Sequence, residues 1–330
     1  MFGMPWTIGV GLTLIAYLAS IVVRRWQHRR WRDQHNAMRV KLGRAVRQQL
    51  DGDFAGSEAE ILALLSEFRR RRPGDIEILL RAAQFLALAR ILRGRLAEAE
   101  ADLTALLDEY GPHNQPNQSA AWQAAGQLAV VYGHRGRYED ALALATRVAD
   151  ALAHRRGPES GLALLARHRV GWCLFKAGRT EAALAMLTEV TAAFQRMNGL
   201  SFGRNTLAEV QLRLGLLDEA EAGFRAALAE EGPTSGGVAQ KLSLRFALAK
   251  IAARRGQPEA DEFAEVLDRM HTMLGEDAPW VLEIRYELAE LGEPVDARKA
   301  HQAVLTDRIR VLGPDHPDTA ISREAVTRHE

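Results

Sequence analysis

The amino-acid sequence predicts an all-α fold: an α-solenoid of stacked helical hairpins that follows one N-terminal transmembrane helix. Three observations predict it. Glycines recur at near-constant spacing, each leading into a short polar or acidic stretch and an alanine. Apolar residues on either side of those glycines recur every three or four positions, the period of an amphipathic helix. The first 23 residues carry no charged side chain, and RRWQHRRWR follows at once.

The N-terminal segment comes first. From Pro5 to Val23 a helix would span about 28 Å, close to a hydrocarbon core of about 30 Å. A cleaved signal peptide wants basic residues ahead of the apolar run and small residues at a cleavage site. Here every basic residue comes after the run, and Tyr17 fills the outer position of the small-x-small site. Residues 1–23 are therefore expected to be an uncleaved signal-anchor. Arg24, Arg25, Arg29, Arg30 and Arg32 would mark the cytoplasmic side, giving a single-pass inner-membrane protein with a cytoplasmic C-terminal domain. Beside Trp26 and Trp31, these five arginines also suit anionic lipid headgroups, at roughly 1 kcal/mol per basic residue. Residues 24–50 form a basic juxtamembrane helix. Met38, Leu42, Ala45 and Leu50 share one helical face, so its later part is expected to pair with Phe54 to Phe68 as a divergent first hairpin.

The solenoid is expected over residues 51–330. Turn glycines fall at Gly52, Gly94, Gly136, Gly178, Gly215, Gly256 and Gly292, at intervals of 42, 42, 42, 37, 41 and 36. An alanine stands five residues on at Ala99, Ala141, Ala183, Ala220 and Ala297, one early at Ala260 and two late at Ala59. Glycine ends the first helix in the left-handed conformation, an acid favours the start of the second, and the alanine sits where two backbones pass closely. Between hairpins lie EYGPHNQP, RRGPES, EEGPTS, MLGEDAP and VLGPDHP, where Gly stops a helix and Pro blocks its continuation. About six to seven hairpins result, and each must stack on the next to bury its apolar face. After VLGPDHP one helix of sequence remains, which is expected to cap the stack.

These residues resemble the tetratricopeptide repeat family. The long intervals and VLGPDHPDTA look like its kinesin-light-chain variety, also common in actinobacterial proteins. Counterparts of the family's first-helix packing residues are Leu86, Ala87, Leu128, Ala129, Tyr132, Val170, Gly171, Leu174, Leu207, Ala208, Leu248 and Ala249. Phe224 and Ala227 match the second helix. The resemblance implies a concave groove lined by the first helix of each hairpin. Arg81, Gln84, His134, His168, Trp172, Lys176, Asn205, Glu209, Arg213, Phe246, Lys250, Arg254 and Tyr286 would project into it. That set leans cationic, which suits an extended or helical protein segment of acidic character.

Composition and motifs argue against an enzyme. The net charge is +1, yet residues 24–72 carry +7 and residues 73–330 carry −6: a basic neck on a mildly acidic body. Arg outnumbers Lys 38 to 5, as in GC-rich bacterial genomes. Cys173 is the sole cysteine, so neither an intrachain disulfide nor a cysteine metal knuckle can form. GxxxxGK[ST], GxGxxG after a strand and HExxH are all lacking. The ten histidines do not follow ligand spacing, and His113 and His316 read as turn or cap residues. No metal and no cofactor are expected, nor a nucleic-acid partner; self-association stays open. The expected function is a membrane-anchored scaffold or adaptor binding a protein or peptide in its groove, the alternative being a regulatory subunit that tethers one enzyme at the membrane.

Overall fold

The computed structural model describes residues 36–71, 76–114, 118–198, 203–230, 237–257, 259–291 and 294–328. Among them the chain forms fifteen α-helices and no strand. In order these are α1 (Asn36–Leu50), α2 (Phe54–Arg71), α3 (Ile76–Leu92), α4 (Leu96–Tyr110), α5 (Ser119–His134), α6 (Tyr138–Arg156), α7 (Gly161–Lys176) and α8 (Thr180–Asn198). Then come α9 (Arg204–Arg213), α10 (Leu217–Ala229), α11 (Val238–Arg254), α12 (Ala260–Leu274), α13 (Pro279–Glu290), α14 (Pro294–Leu312) and α15 (Pro317–Arg328). Each odd-numbered helix up to α13 pairs with its successor, and α15 packs on α14. The chain is a helical-repeat solenoid.

Why each hairpin turns where it does is visible in the backbone. Gly94 and Gly136 both adopt φ of 76°, which a side chain with a Cβ rarely tolerates. The Gly136 amide donates to the Gly133 carbonyl (3.1 Å) and the Arg137 amide to the Tyr132 carbonyl (2.9 Å). That double bond pattern satisfies the last carbonyls of α5, and it recurs at Gly52, Gly94, Gly178, Gly215 and Gly256. Ala99, Ala141, Ala183, Ala220 and Ala297 are buried, as close helix approach requires. Ala59 and Ala260 are exposed instead. Ser57 takes the close position after Gly52, and Phe263 is the first buried apolar residue of α12.

Successive hairpins are clamped at their turns by arginines. Glu58 accepts from Arg90 (3.0 Å), Arg93 (2.7 Å) and Arg95 (2.5 Å). Glu100 accepts from Arg135 (2.5 Å) and Arg137 (2.9 Å), and Glu139 from Arg179 (2.9 Å). Arg255 reaches back to Asp218 and Glu221, both at 2.5 Å. At Gly215 the flanking positions are Leu214 and Leu216, and the apolar cluster of Phe175, Leu187, Ala208, Leu212 and Phe224 joins α7 and α8 to α9 and α10.

The solenoid also coils back on itself. Buried residues of α3 belong to three apolar clusters at once. Leu80, Ala83, Ala87 and Ile91 join α4 to α7; Ile78, Ala82, Phe85 and Leu86 join α1, α2, α7 and α8; Leu88, Ala89 and Leu92 join α11, α12 and α13. Fourteen of the seventeen residues of α3 are buried, as expected for a helix apolar on every side.

One expectation is corrected. No helix among the described residues is long and apolar enough to cross a membrane, which overturns the single-pass inner-membrane localisation. The most apolar helix, α3, is 17 residues long, carries Glu77, Arg81 and Arg90, and buries itself against protein. The span expected over residues 5–23 lies outside the described residues, as do Arg24, Arg25, Arg29, Arg30 and Arg32.

Candidate functional site: the inner face of the coil

Coiling converts much of the expected groove into interior. Gln84, His134, His168, Trp172, Asn205, Glu209, Phe246, Lys250 and Tyr286 are buried, Arg81 and Lys176 are half-buried, and Arg213 and Arg254 are exposed. Several of them are consumed by local contacts. The Gln84 amide donates to the Leu80 carbonyl (3.1 Å), and Arg81 pairs with Glu77 (2.7 Å). His168 Nε2 lies 3.2 Å from Thr206 Oγ1. Phe246 packs edge-on against Phe263, and the Tyr286 ring contacts both the His301 ring and the Arg308 guanidinium. Trp172 occupies the space that a side chain at Gly133 would need, and the His134 ring lies 5.4 Å from it. Burial, reinforced by Lys176 and His316, drives the His134 pKa down to about 3, so the imidazole is neutral.

The polar residues that remain form an alternating set of ammonium and carboxyl groups contributed by successive repeats. Lys250 of α11 pairs with Glu283 (3.2 Å) and with Glu287 of α13. Burial pushes the Glu283 carboxyl well above its usual range, against the pull of Lys250. Burial likewise raises Glu209 of α9 to about 8, with Lys176 and Lys250 opposing. For Lys176 burial acts downward, yet Tyr138, Asp318, Glu283 and Glu209 together hold its ammonium above the ordinary value. Among the described residues no group of His, Cys, Asp and Glu is placed to hold a metal ion. Cys173 is buried, and burial pushes its thiol up to about 12, so it is no ready nucleophile.

What closes the inner face is a series of linkers and adjoining helix ends lying on turns. Met273 covers Gly52, and Gly237 approaches the Leu50 backbone so closely that an added Cβ would lie 2.6 Å from the Leu50 Cα. The Asp277 carbonyl and Val311 cover Gly94. Pro317 and His316 cover Gly136, where an added Cβ would meet Pro317 Cδ at 2.9 Å and His316 Cδ2 at 3.1 Å. His316 Nδ1 accepts the Asp318 amide (3.1 Å), which leaves Nε2–H to donate to the His134 carbonyl (3.2 Å), 182 residues away. At Gly178, Gly215 and Gly256, by contrast, an added Cβ would meet nothing within 4 Å.

The residue two places before each of these six glycines follows the same division, while before Gly292, which lies outside the described residues, it is Glu290. It is Leu50, Leu92 and His134 on the three covered turns, and Lys176, Arg213 and Arg254 on the three open ones. Arg254 donates to the Leu212 carbonyl (2.5 Å). Desolvation lowers the Arg213 guanidinium's pKa, with the Arg254 charge adding to the effect, and desolvation lowers Arg254 as well. The open half of the inner face is thus a row of cations on consecutive repeats.

Comparison with known proteins agrees with this architecture. Family models of the tetratricopeptide repeat match residues 118–196 and 287–318, so the chain carries such repeats in its α5–α8 hairpins and around α14. The Rap conjugation gene regulator of plasmid pLS20, solved in complex with the Phr* peptide, is 14% identical. That alignment has a TM-score of 0.62 and covers 83% of this chain and 74% of the regulator. NprR, solved in complex with its cognate peptide NprX, is 15% identical with a TM-score of 0.60, covering 88% of this chain and 82% of NprR. A kinesin-light-chain-like repeat protein of Podosopora anserina is 19% identical over 59% of this chain and 94% of its own, with a TM-score of 0.41. None of the curated proteins matches the chain.

Proposed function

We propose that the protein is a non-enzymatic scaffold that binds an acidic segment of a protein partner along the open half of its inner face, at Lys176, Arg213 and Arg254. The observation that carries this reading is the change of chemistry at one repeat position. Where the coil covers its own turns that position is apolar or a neutral histidine; where it does not, three consecutive repeats place a cation there. Carboxylates spaced along a partner would meet these cations in turn. The peptide-bound state of two solved neighbours, the pLS20 Rap regulator and NprR, supports a peptide as the kind of ligand this fold accepts. Lys250, already held by Glu283 and Glu287, belongs to the interior framework that positions the row.

The test is a charge reversal that spares the interior. In the full chain, Arg213→Glu with Arg254→Glu is measured against a fluorescein-labelled pool of acidic peptides by anisotropy, with circular dichroism as the check on helicity. Reversing two partly exposed charge contacts is expected to weaken binding about tenfold or more, at roughly 1.4 kcal/mol per factor of ten. Unchanged affinity with unchanged helicity refutes the reading.

A further inference from the structure

The covered turns show what this inner face takes as a ligand, because the protein supplies two such ligands to itself. Both share one pattern: Gly275-Glu276-Asp277-Ala278-Pro279 and Gly313-Pro314-Asp315-His316-Pro317 each run directly into a helix, α13 and α15. The first lies on the Gly94 turn through the Asp277 carbonyl, the second on the Gly136 turn through His316 and Pro317. The second also caps the end of α5, since His316 Nε2–H binds the His134 carbonyl. One repeat further along the chain has moved the docking site one turn further along the coil.

The next turn in that series is Gly178. It has the same backbone, with φ of 77° and the same pair of closing hydrogen bonds, from Gly178 to the Phe175 carbonyl (3.0 Å) and from Arg179 to the Leu174 carbonyl (2.9 Å). Its glycine is exposed and a Cβ there meets nothing within 4 Å. Two residues before it, the Lys176 ammonium lies 5.6 Å from the centre of the Tyr138 ring, which follows the Gly136 turn where residues 316 and 317 sit. An occupant would therefore find a free turn surface and the Lys176 ammonium next to the last docked corner.

We infer that the Gly178 turn is the docking site for a partner segment of the form Gly-x-Asp-x-Pro leading into a helix, seated as residues 275–279 and 313–317 are seated on the two preceding turns. This deepens the reading of the cationic row and rests on it: the turn takes the proline-containing corner, and acidic residues alongside it face Lys176, Arg213 and Arg254. The partner is thus defined by chemistry, a helical-hairpin connector with an aspartate between glycine and proline.

The experiment adds a labelled synthetic peptide, VLGPDHPDTAISREAV, to the full chain and follows anisotropy. Gly178→Asn is the blocking variant, because asparagine tolerates positive φ and its side chain would fill the docking space. Gly256→Asn, on an open turn away from α15, is the control for any general cost of the substitution. Saturable binding that Gly178→Asn weakens at least tenfold while Gly256→Asn does not is the expected result. Absence of binding to the wild type, or equal binding by both variants, overturns the inference. Acidic-pool binding by the wild type without binding of the synthetic peptide separates the two proposals, leaving the cationic row standing while the turn site fails. A wild-type dimer in sedimentation that Gly178→Asn dissolves would also overturn it, by assigning the turn to a second copy of this chain.

Discussion

Replacing Arg169 with methionine is expected to stabilise the protein. Arg169 lies in α7 at 1% exposure, and none of its three guanidinium nitrogens has a hydrogen-bond partner. Its guanidinium rests against the α5 backbone at Gly126, where an added Cβ would lie 2.6 Å from Nη1. Burial pulls its pKa from 12.5 to about 10, opposed by Cys173. A cation whose folded-state pKa is depressed destabilises the fold at all pH values below that pKa, and relief comes only on deprotonation above about 10. At 1.36 kcal/mol per unit, the penalty at neutral pH is about 3 kcal/mol. Methionine keeps most of the apolar stem and removes the charge, so Arg169→Met should gain about 1–3 kcal/mol, read as a higher urea midpoint at unchanged slope. Gly126→Ala should cost about 1–3 kcal/mol in the wild type through overpacking and clearly less in the methionine background. A loss of more than about 1 kcal/mol in Arg169→Met would refute the reasoning, since only a satisfied guanidinium could be missed so much.

Three further outcomes follow from the turns and the buried carboxylates. Gly136→Asn should lower thermal stability by about 1–3 kcal/mol through collision with Pro317 and His316, whereas Gly256→Asn, with open space around it, should stay within about 0.5 kcal/mol. Glu58→Gln should destabilise by about 1–3 kcal/mol, because it removes the one buried carboxylate shared by Arg90, Arg93 and Arg95 while Arg90 keeps Asp102 and Arg95 keeps Glu98; Glu139→Gln, at an exposed pair, should change chemical-denaturation midpoints little. Glu209 has a folded pKa of about 8 against an ordinary 4.5. The folded state therefore binds more protons between those values, and stability falls as pH rises through that window. Melting curves of Glu209→Gln at pH 5 and pH 8 should differ less than those of the wild type.

The period of the repeat was legible because it is written locally. A turn glycine, its closing bonds and the alanine beyond it lie within about ten residues, and each is fixed by backbone geometry that few residues tolerate. The exceptions were local too, with Ser57 and Phe263 serving where Ala59 and Ala260 were expected. The fate of the groove was not legible in the same way. Whether His134 lines a trough or an interior depends on His316, and the two meet only after the coil has closed. A signal was nonetheless present. Six places before the turn glycine the residues run Val46, Leu88, Val130 and Trp172, then Glu209, Lys250 and Tyr286; all seven are buried, and the four apolar ones in a row mark that position as interior. The largely apolar text of α3 carried the same message.

In an open solenoid each unit touches only its neighbours, so stability is close to additive along the array and ends can fray independently. The triple allegiance of α3 removes that freedom here. Loosening α11 to α13 strips one side of α3, and loosening α7 and α8 strips another, so damage far along the chain reaches residues 76–92 directly. Melting should therefore be cooperative across the array, and shortening it from the C-terminal end should cost more than the hairpins removed.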